Sequence, residues 1–159
     1  MALAQAGHEP IVYDNLSNGH EAFVKWGPFI KGDIRDAATL RAALAVHKPA
    51  AVLHLAALIE AGVSVRDPGL FYDNNVTGGL VVLEEMRRAE IPVFVFSSTA
   101  ATYGVPQRMP IDEQHPQMPI NPYGWTKLMI EQAARDYSSA HGLRYGFLRY
   151  FNASGAAPD

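Results

Sequence analysis

The chain alternates short apolar runs with longer amphipathic stretches, a rhythm that predicts β-strands joined by crossover helices in a parallel sheet. The expected strands are Ile11 to Tyr13, Phe29 to Lys31, Ala51 to Leu55, Val93 to Ser97 and Tyr145 to Tyr150. Between them, Ala37 to His47, Asn74 to Glu90 and Asn121 to His141 are rich in Ala, Leu, Glu and Arg, with apolar residues on one stripe, and are the expected helices. The predicted class is α/β, with a doubly wound parallel sheet. The segment Tyr103 to Ile120 is rich in proline and has no period, so it reads as a long loop leading into the last helix. Loops of this length in compact domains are usually functional.

Composition narrows the classes of function. With 159 residues, 48% of them hydrophobic and 18% charged, the chain can bury one core. The formal net charge of -3 has no acidic or basic block behind it, so there is no electrostatic case for binding nucleic acid or a membrane surface. The absence of cysteine excludes disulfides, thiolate metal sites and cysteine nucleophiles, and suits a reducing compartment. The opening MALAQAGHEP lacks the apolar core and basic flank of a secretory signal, and no run approaches the ~18 apolar residues of a membrane span. A cytoplasmic protein is expected.

Candidate chemistry concentrates where strands end. In NPYGWTKLMIEQ, Asn121 is a plausible N-cap and Pro122 suits the first helical position. Tyr123 and Lys127 then project from one helical face a turn apart, which sets an ammonium near a phenol and eases loss of its proton. The alternative is a half-buried aromatic beside a solvated lysine. Asp14 ends a strand in VYDNLSNG, where a carboxylate can accept hydrogen bonds from both ribose hydroxyls of NAD while repelling the phosphate of NADP; it can equally form a turn before Asn15. In GDIRD, Asp33 either reaches an adenine amino group or caps a helix. The small residues Leu55, Ala56 and Ala57 leave a strand in a way that lets a cofactor approach the backbone, and His54 before them reads as a buried structural histidine. No second histidine stands at metal-like spacing, so no metal site is expected. Asn74 and Asn75 in YDNNVTG are either capping groups or one cap plus a buried amide aimed at a cofactor. In FSSTAATYG, Ser97, Ser98 and Thr99 follow a strand end, where they can hydrogen-bond a substrate oxygen or simply form a serine-rich turn.

Taken in order, DNLSNG, GDIRD, HLAALIEAGVSV, YDNNVTGG, FSSTAATYG, NPYGWTK and RYFNASGA span nearly the whole chain and resemble the extended short-chain dehydrogenase/reductase family. The resemblance implies a Rossmann-like NAD-binding domain and epimerisation at C4 of a UDP-hexose such as UDP-glucose or UDP-galactose, by transient oxidation to a 4-keto sugar. It implies Tyr123 as acid/base, Lys127 lowering its pKa and holding the nicotinamide ribose, and Thr99 on the reacting sugar hydroxyl. By the same resemblance Asp14, Asn15, Asn18, Asp33, Ile34, Leu55, Ala56, Ala57, Asn75, Ser97, Tyr150 and Phe151 line the NAD site, and Asn152 touches the sugar nucleotide. It further implies a homodimer of the full-length protein.

Departures from the family pattern accompany these matches. The opening unit of strand, Gly-rich turn and helix N-terminus is not found ahead of the strand of Ile11 to Tyr13; Met1 to Gly7 reads as the last turns of that helix with a glycine cap, and FNASGAAPD stops in a loop. The expectation is a fragment, residues 1–159 being a truncated dinucleotide domain whose first strand would sit between those of Ile11 to Tyr13 and Ala51 to Leu55. A smaller C-terminal sugar-nucleotide domain would follow. Ile59 stands where some relatives place a lysine. Two other readings are a nucleotide-sugar dehydratase or decarboxylase, and a silent nucleotide-binding protein. Elimination of water would need a carboxylate soon after Thr99, where Ala100 and Ala101 stand.

Overall fold

A computed structural model describes residues 1–154. Helix α1 (Ala2–Gln5) closes on Gly7, whose φ of +84° lets His8 N–H reach the Leu3 carbonyl and Gly7 N–H the Ala4 carbonyl, a Schellman end. Strand β1 (Val12–Asp14) pairs in parallel with β2 (Phe29–Lys31), Val12 opposite Phe29 and Asp14 opposite Lys31. Helix α2 (Ala37–His47) begins at Asp36, whose carboxylate accepts from Ala38 and Thr39 N–H, and it buries Leu40 and Leu44. Strand β3 (Val52–His54) follows, then two short helices that periodicity does not predict, α3 (Ala61–Arg66) and α4 (Pro68–Phe71). They are too short for a full amphipathic stripe, and their N-terminal signal is only Asp67 capping before Pro68. The helix expected from Asn74 starts instead as a π-helical segment, Tyr72–Thr77, which becomes regular as α5 (Gly78–Arg88). Strand β4 (Val93–Thr99), a 3₁₀ turn at Ala100–Thr102, the long loop, helix α6 (Pro122–His141) and strand β5 (Arg144–Tyr150) complete the order.

The α/β class and the parallel pairing are as expected. The described strands form two parallel sheets, β1–β2 and β3–β4–β5, and among the described residues no ladder joins β1 to β3. One face of the larger sheet, carrying Phe94, Phe96 and Phe147, packs with Leu40 and Leu44 of α2, Val82, Leu83 and Met86 of α5, and Ile130 and Ala134 of α6. The helices come close where glycines permit it: a Cβ on Gly79 of α5 would lie 2.6 Å from Ile130 Cδ1. The C-terminal strand ends, at His54, Thr99 and Tyr150, thereby open together at one edge.

Because Ile130 is 1% exposed and fills the seam between α5 and α6, Ile130→Ala should cost about 2–4 kcal/mol. Urea unfolding would read this as a lower midpoint with an unchanged slope.

Candidate active site

The N-terminus of α6 is built as its sequence predicts. Asn121 Oδ1 accepts from Gly124 N–H at 2.8 Å and Pro122 takes the first helical position. The first turn then presses onto the Ala100–Thr102 turn, since a Cβ on Gly124 would lie 2.8 Å from the Ala101 carbonyl oxygen. Two groups that sequence reasoning missed support Tyr123: Ser64 Oγ accepts from its N–H at 3.2 Å, and its carbonyl accepts from Thr126 Oγ1 at 2.7 Å. A fully buried Ser64 in an unrecognised short helix left no periodic signal by which to find it.

Lys127 is not a solvated lysine. It is 2% exposed, and its Nζ donates to the Ser97 carbonyl at 2.9 Å and stands 4.9 Å from the Phe96 ring centre and 5.9 Å from that of Tyr123. Among the described residues no carboxylate pairs with it. Burial lowers its pKa to about 8. The phenol of Tyr123 is half-buried and pushed above its ordinary value by burial, while the neighbouring Thr99 side chain pulls the other way. Proximity of the cation therefore does not by itself leave Tyr123 easy to ionise, because desolvation of the phenolate is the larger effect. Thr99 Oγ1 also accepts from Ala101 N–H at 3.2 Å, which fixes its hydroxyl. His54 stacks on Phe96 and lies tilted against Phe94, at 5.6 and 5.9 Å between ring centres, and burial together with Lys127 lowers its pKa to about 3. It is a neutral structural ring, as expected.

A second cluster lines a cavity of about 210 Å³ beside β1 and β3: Asp14, Asn15, Asn18, Ile34, Leu55, Ala56 and Ala57, joined by Asn74 of the asparagine pair. Asp14 Oδ1 accepts from Leu16 N–H at 2.7 Å, and among the described residues no donor reaches Oδ2. Other expected cofactor residues stand outside this lining. Asp33 neither caps α2, which Asp36 does, nor offers a free carboxylate, because Arg35 grips both oxygens and Asn15 Nδ2 donates at 3.2 Å; these contacts hold its carboxyl well below the usual range. The Asn75 amide is not aimed at the cavity. Its Oδ1 accepts from Leu58 N–H at 2.8 Å and its Nδ2 donates to the Leu58 carbonyl at 2.9 Å and to Thr126 Oγ1 at 3.1 Å, so it anchors the segment that follows β3. Ser97 meets Lys127 through its carbonyl, and the Ser98 hydroxyl turns inward to Glu131. Tyr150 lies in register with Thr99, while Tyr150, Phe151 and Asn152 are exposed at the sheet edge. The long loop is anchored at its base, where His115 Nε2 accepts from Gln107 N–H, His115 Nδ1 donates to the Pro116 carbonyl and Tyr103 accepts from Arg149.

No group of acidic, histidine or cysteine side chains among the described residues has the arrangement of a metal site. No helix among them is long and apolar enough to cross a membrane. The family model described as "NAD dependent epimerase/dehydratase family" matches residues 1–159. The chain belongs to that family. It is 60% identical over 156 residues to a UDP-glucose 4-epimerase of Rhizobium meliloti (strain 1021), covering 98% of this chain and 48% of that one. Its fold superposes on UDP-glucose 4-epimerase from Brucella ovis in complex with NAD at a TM-score of 0.96 and 51% identity, covering 98% of this chain and 48% of that chain. It superposes on the UDP-Glc/GlcNAc 4-epimerase from Campylobacter jejuni at 0.92 and 38% identity, covering 99% of this chain and 50% of that chain. The chain thus spans about half the length of these epimerases.

The unpaired burial of Lys127 predicts a conflict between stability and function. Depressing its pKa from 10.5 to about 8 costs roughly 3 kcal/mol, and the hydrogen bond to Ser97 offsets about 1 kcal/mol of that. Lys127→Met, unfolded without added nucleotide, should therefore be more stable by about 2 kcal/mol at pH 7. The native lysine binds its proton more weakly than the unfolded one, so the penalty is full below pH 8. It fades as pH rises toward 10.5, and the two unfolding midpoints should converge over that window.

Proposed function

We propose that this chain is the NAD-binding part of a UDP-hexose 4-epimerase, with residues 1–159 supplying the acid/base group and part of the cofactor site. The observation that carries the reading is the convergence of Tyr123, Lys127 and Thr99 at the C-terminal edge of the sheet, where open α/β sheets bind ligands. Family membership and the similarity to UDP-glucose 4-epimerases support it.

The cavity suits NAD by its donor set. A carboxylate oxygen of Asp14 that meets no donor among the described residues fits a ribose diol, and Ala56, Ala57, Gly19 and Gly32 keep the wall low enough for close approach. NAD, when bound, supplies the acceptor and later the donor of a hydride at C4. The remaining steps belong to this chain. Thr99 orients the sugar 4-hydroxyl and Tyr123 removes its proton; once the 4-keto sugar has turned over to present the opposite face of C4, Tyr123 returns the proton to the C4 oxygen. Lys127 holds a positive charge beside the phenolate and offers its ammonium to the nicotinamide ribose. Dehydration is disfavoured, because the turn after Thr99 holds only Ala100, Ala101 and Thr102 and so offers no carboxylate for eliminating water. A silent nucleotide-binding protein would titrate with NAD yet leave UDP-galactose unchanged.

In the complete polypeptide, Tyr123→Phe should lower turnover of UDP-galactose by about 100-fold or more while NAD stays bound, since it removes the proton acceptor and little volume. Retention of more than about a tenth of the activity would remove Tyr123 from the role.

Asp14 sets the second expectation. NAD should bind at least about tenfold more tightly than NADP in calorimetric titration, because a carboxylate repels a 2′-phosphate. Equal affinities would show that Asp14 does not face the ribose.

A further inference from the structure

One turn beyond Lys127, α6 carries a carboxylate that the proposed reaction does not use. Glu131 is 0% exposed, yet it is held ionised: burial pushes its carboxyl up, but hydrogen bonds from Arg149, Ser98 and Gln117 together with the charge of Arg149 bring it below its ordinary value. Arg149 on β5 grips both oxygens, Nε to Oε1 at 2.9 Å and Nη2 to Oε2 at 2.7 Å. Ser98 on β4 donates to Oε1 at 2.5 Å. Gln117 from the long loop and Arg135 from α6 itself donate to Oε2 at 3.3 and 3.1 Å. One carboxylate thus joins the helix, both strands and the loop.

Such a buried pair adds little net stability, since desolvation offsets most of its attraction; its directional bonds can instead specify one arrangement. Here the arrangement concerns the reacting groups. Tyr123, Lys127 and Glu131 stand four apart on α6 and meet neighbouring residues of β4, at the Thr99 side chain, the Ser97 carbonyl and the Ser98 hydroxyl respectively. A one-residue slip of the helix would move each group by 1.5 Å along the axis and turn it by about 100°, so all three contacts hold or fail together. Tyr123 and Lys127 make single-point contacts, whereas Glu131 is gripped on both oxygens. We propose that Glu131 is a positioning residue, which with Arg149 and Ser98 seats α6 on β4 and β5 and thereby sets the approach of the Tyr123 phenol to Thr99. The proposal rests on the reading of Tyr123 as the proton acceptor.

The direction of a pH shift separates positioning from a mere charge effect. Glu131 faces Arg149 from β5 and Arg135 from its own helix, while β4 and the loop supply only the neutral Ser98 and Gln117. Tyr123 faces Lys127 from its own helix and Thr99 from β4. Deleting the negative charge of Glu131 acts through space to ease ionisation of Tyr123 and would move the ascending limb of the pH profile to lower pH. Loosening the seat weakens the contact with Thr99 and moves that limb to higher pH.

The test uses the complete protein loaded with NAD. Glu131→Gln should lower kcat at least about tenfold, change KM for UDP-galactose less than about twofold and raise the limb by about one pH unit. Ser98→Ala leaves the ion pair intact and should do the same more weakly, by about fivefold in kcat, so it decides the matter if Glu131→Gln fails to fold. Wild-type kcat and profile in the variants that fold would overturn the proposal, and so would a limb moved to lower pH. If Tyr123→Phe is inactive in the same assay, only the positioning role is lost; if Tyr123→Phe stays active, the proton-acceptor reading falls and the proposal falls with it.

Discussion

An ammonium taken out of water with no carboxylate among the described residues to meet it is the constraint around which this site is arranged. Lys127 is tolerated because its Nζ meets the Ser97 carbonyl and lies over the Phe96 ring, two weak partners that leave it short of a full counter-charge. A paired lysine would be more stable, but a carboxylate beside it would also repel a phenolate at Tyr123. The site therefore keeps its positive charge unspent, beside the packed rings of Phe94, Phe96 and His54.

Polar groups near the sheet edge divide into those already bound by the protein and those left open. Asp33, Asn75 and Ser98 are bound, to Arg35, to Leu58 and to Glu131, and each fixes a segment that borders the site. Asp14 Oδ2 has no donor among the described residues, and Asn18 and Asn74 line the same cavity. This division separates the groups that shape a binding wall from those able to recognise a ligand. A buried amide such as Asn75 cannot do both, because its bonds to the backbone must be kept to avoid the cost of unsatisfied polar atoms.

Much of the fold was legible because it rests on local rules. The bounds of α2, the Asn121 and Pro122 start of α6, and the glycine end of α1 follow from apolar spacing and capping chemistry, which act within a few residues. The π-helical start of α5 and the short α3 and α4 were hidden, because their conformation is set by packing on α6 and on one another rather than by a local period. Glu131 left a fainter trace: a carboxylate on the same stripe as Tyr123 and Lys127 is out of place on a buried face. Reading that stripe one turn further would have found it.

By itself the chain determined its class, its order of elements, the pairing of Tyr123 with Lys127 on one helical face and the family to which its motifs belong. These are properties of spacing, and spacing is written along the chain. Only the tertiary structure decided that Lys127 is buried, that the phenol of Tyr123 is pushed up rather than down, that Asp33 and Asn75 are occupied, and that Glu131 joins α6 to two strands. Each of these depends on partners distant in sequence, and on how far water is excluded once they meet, which no local pattern encodes.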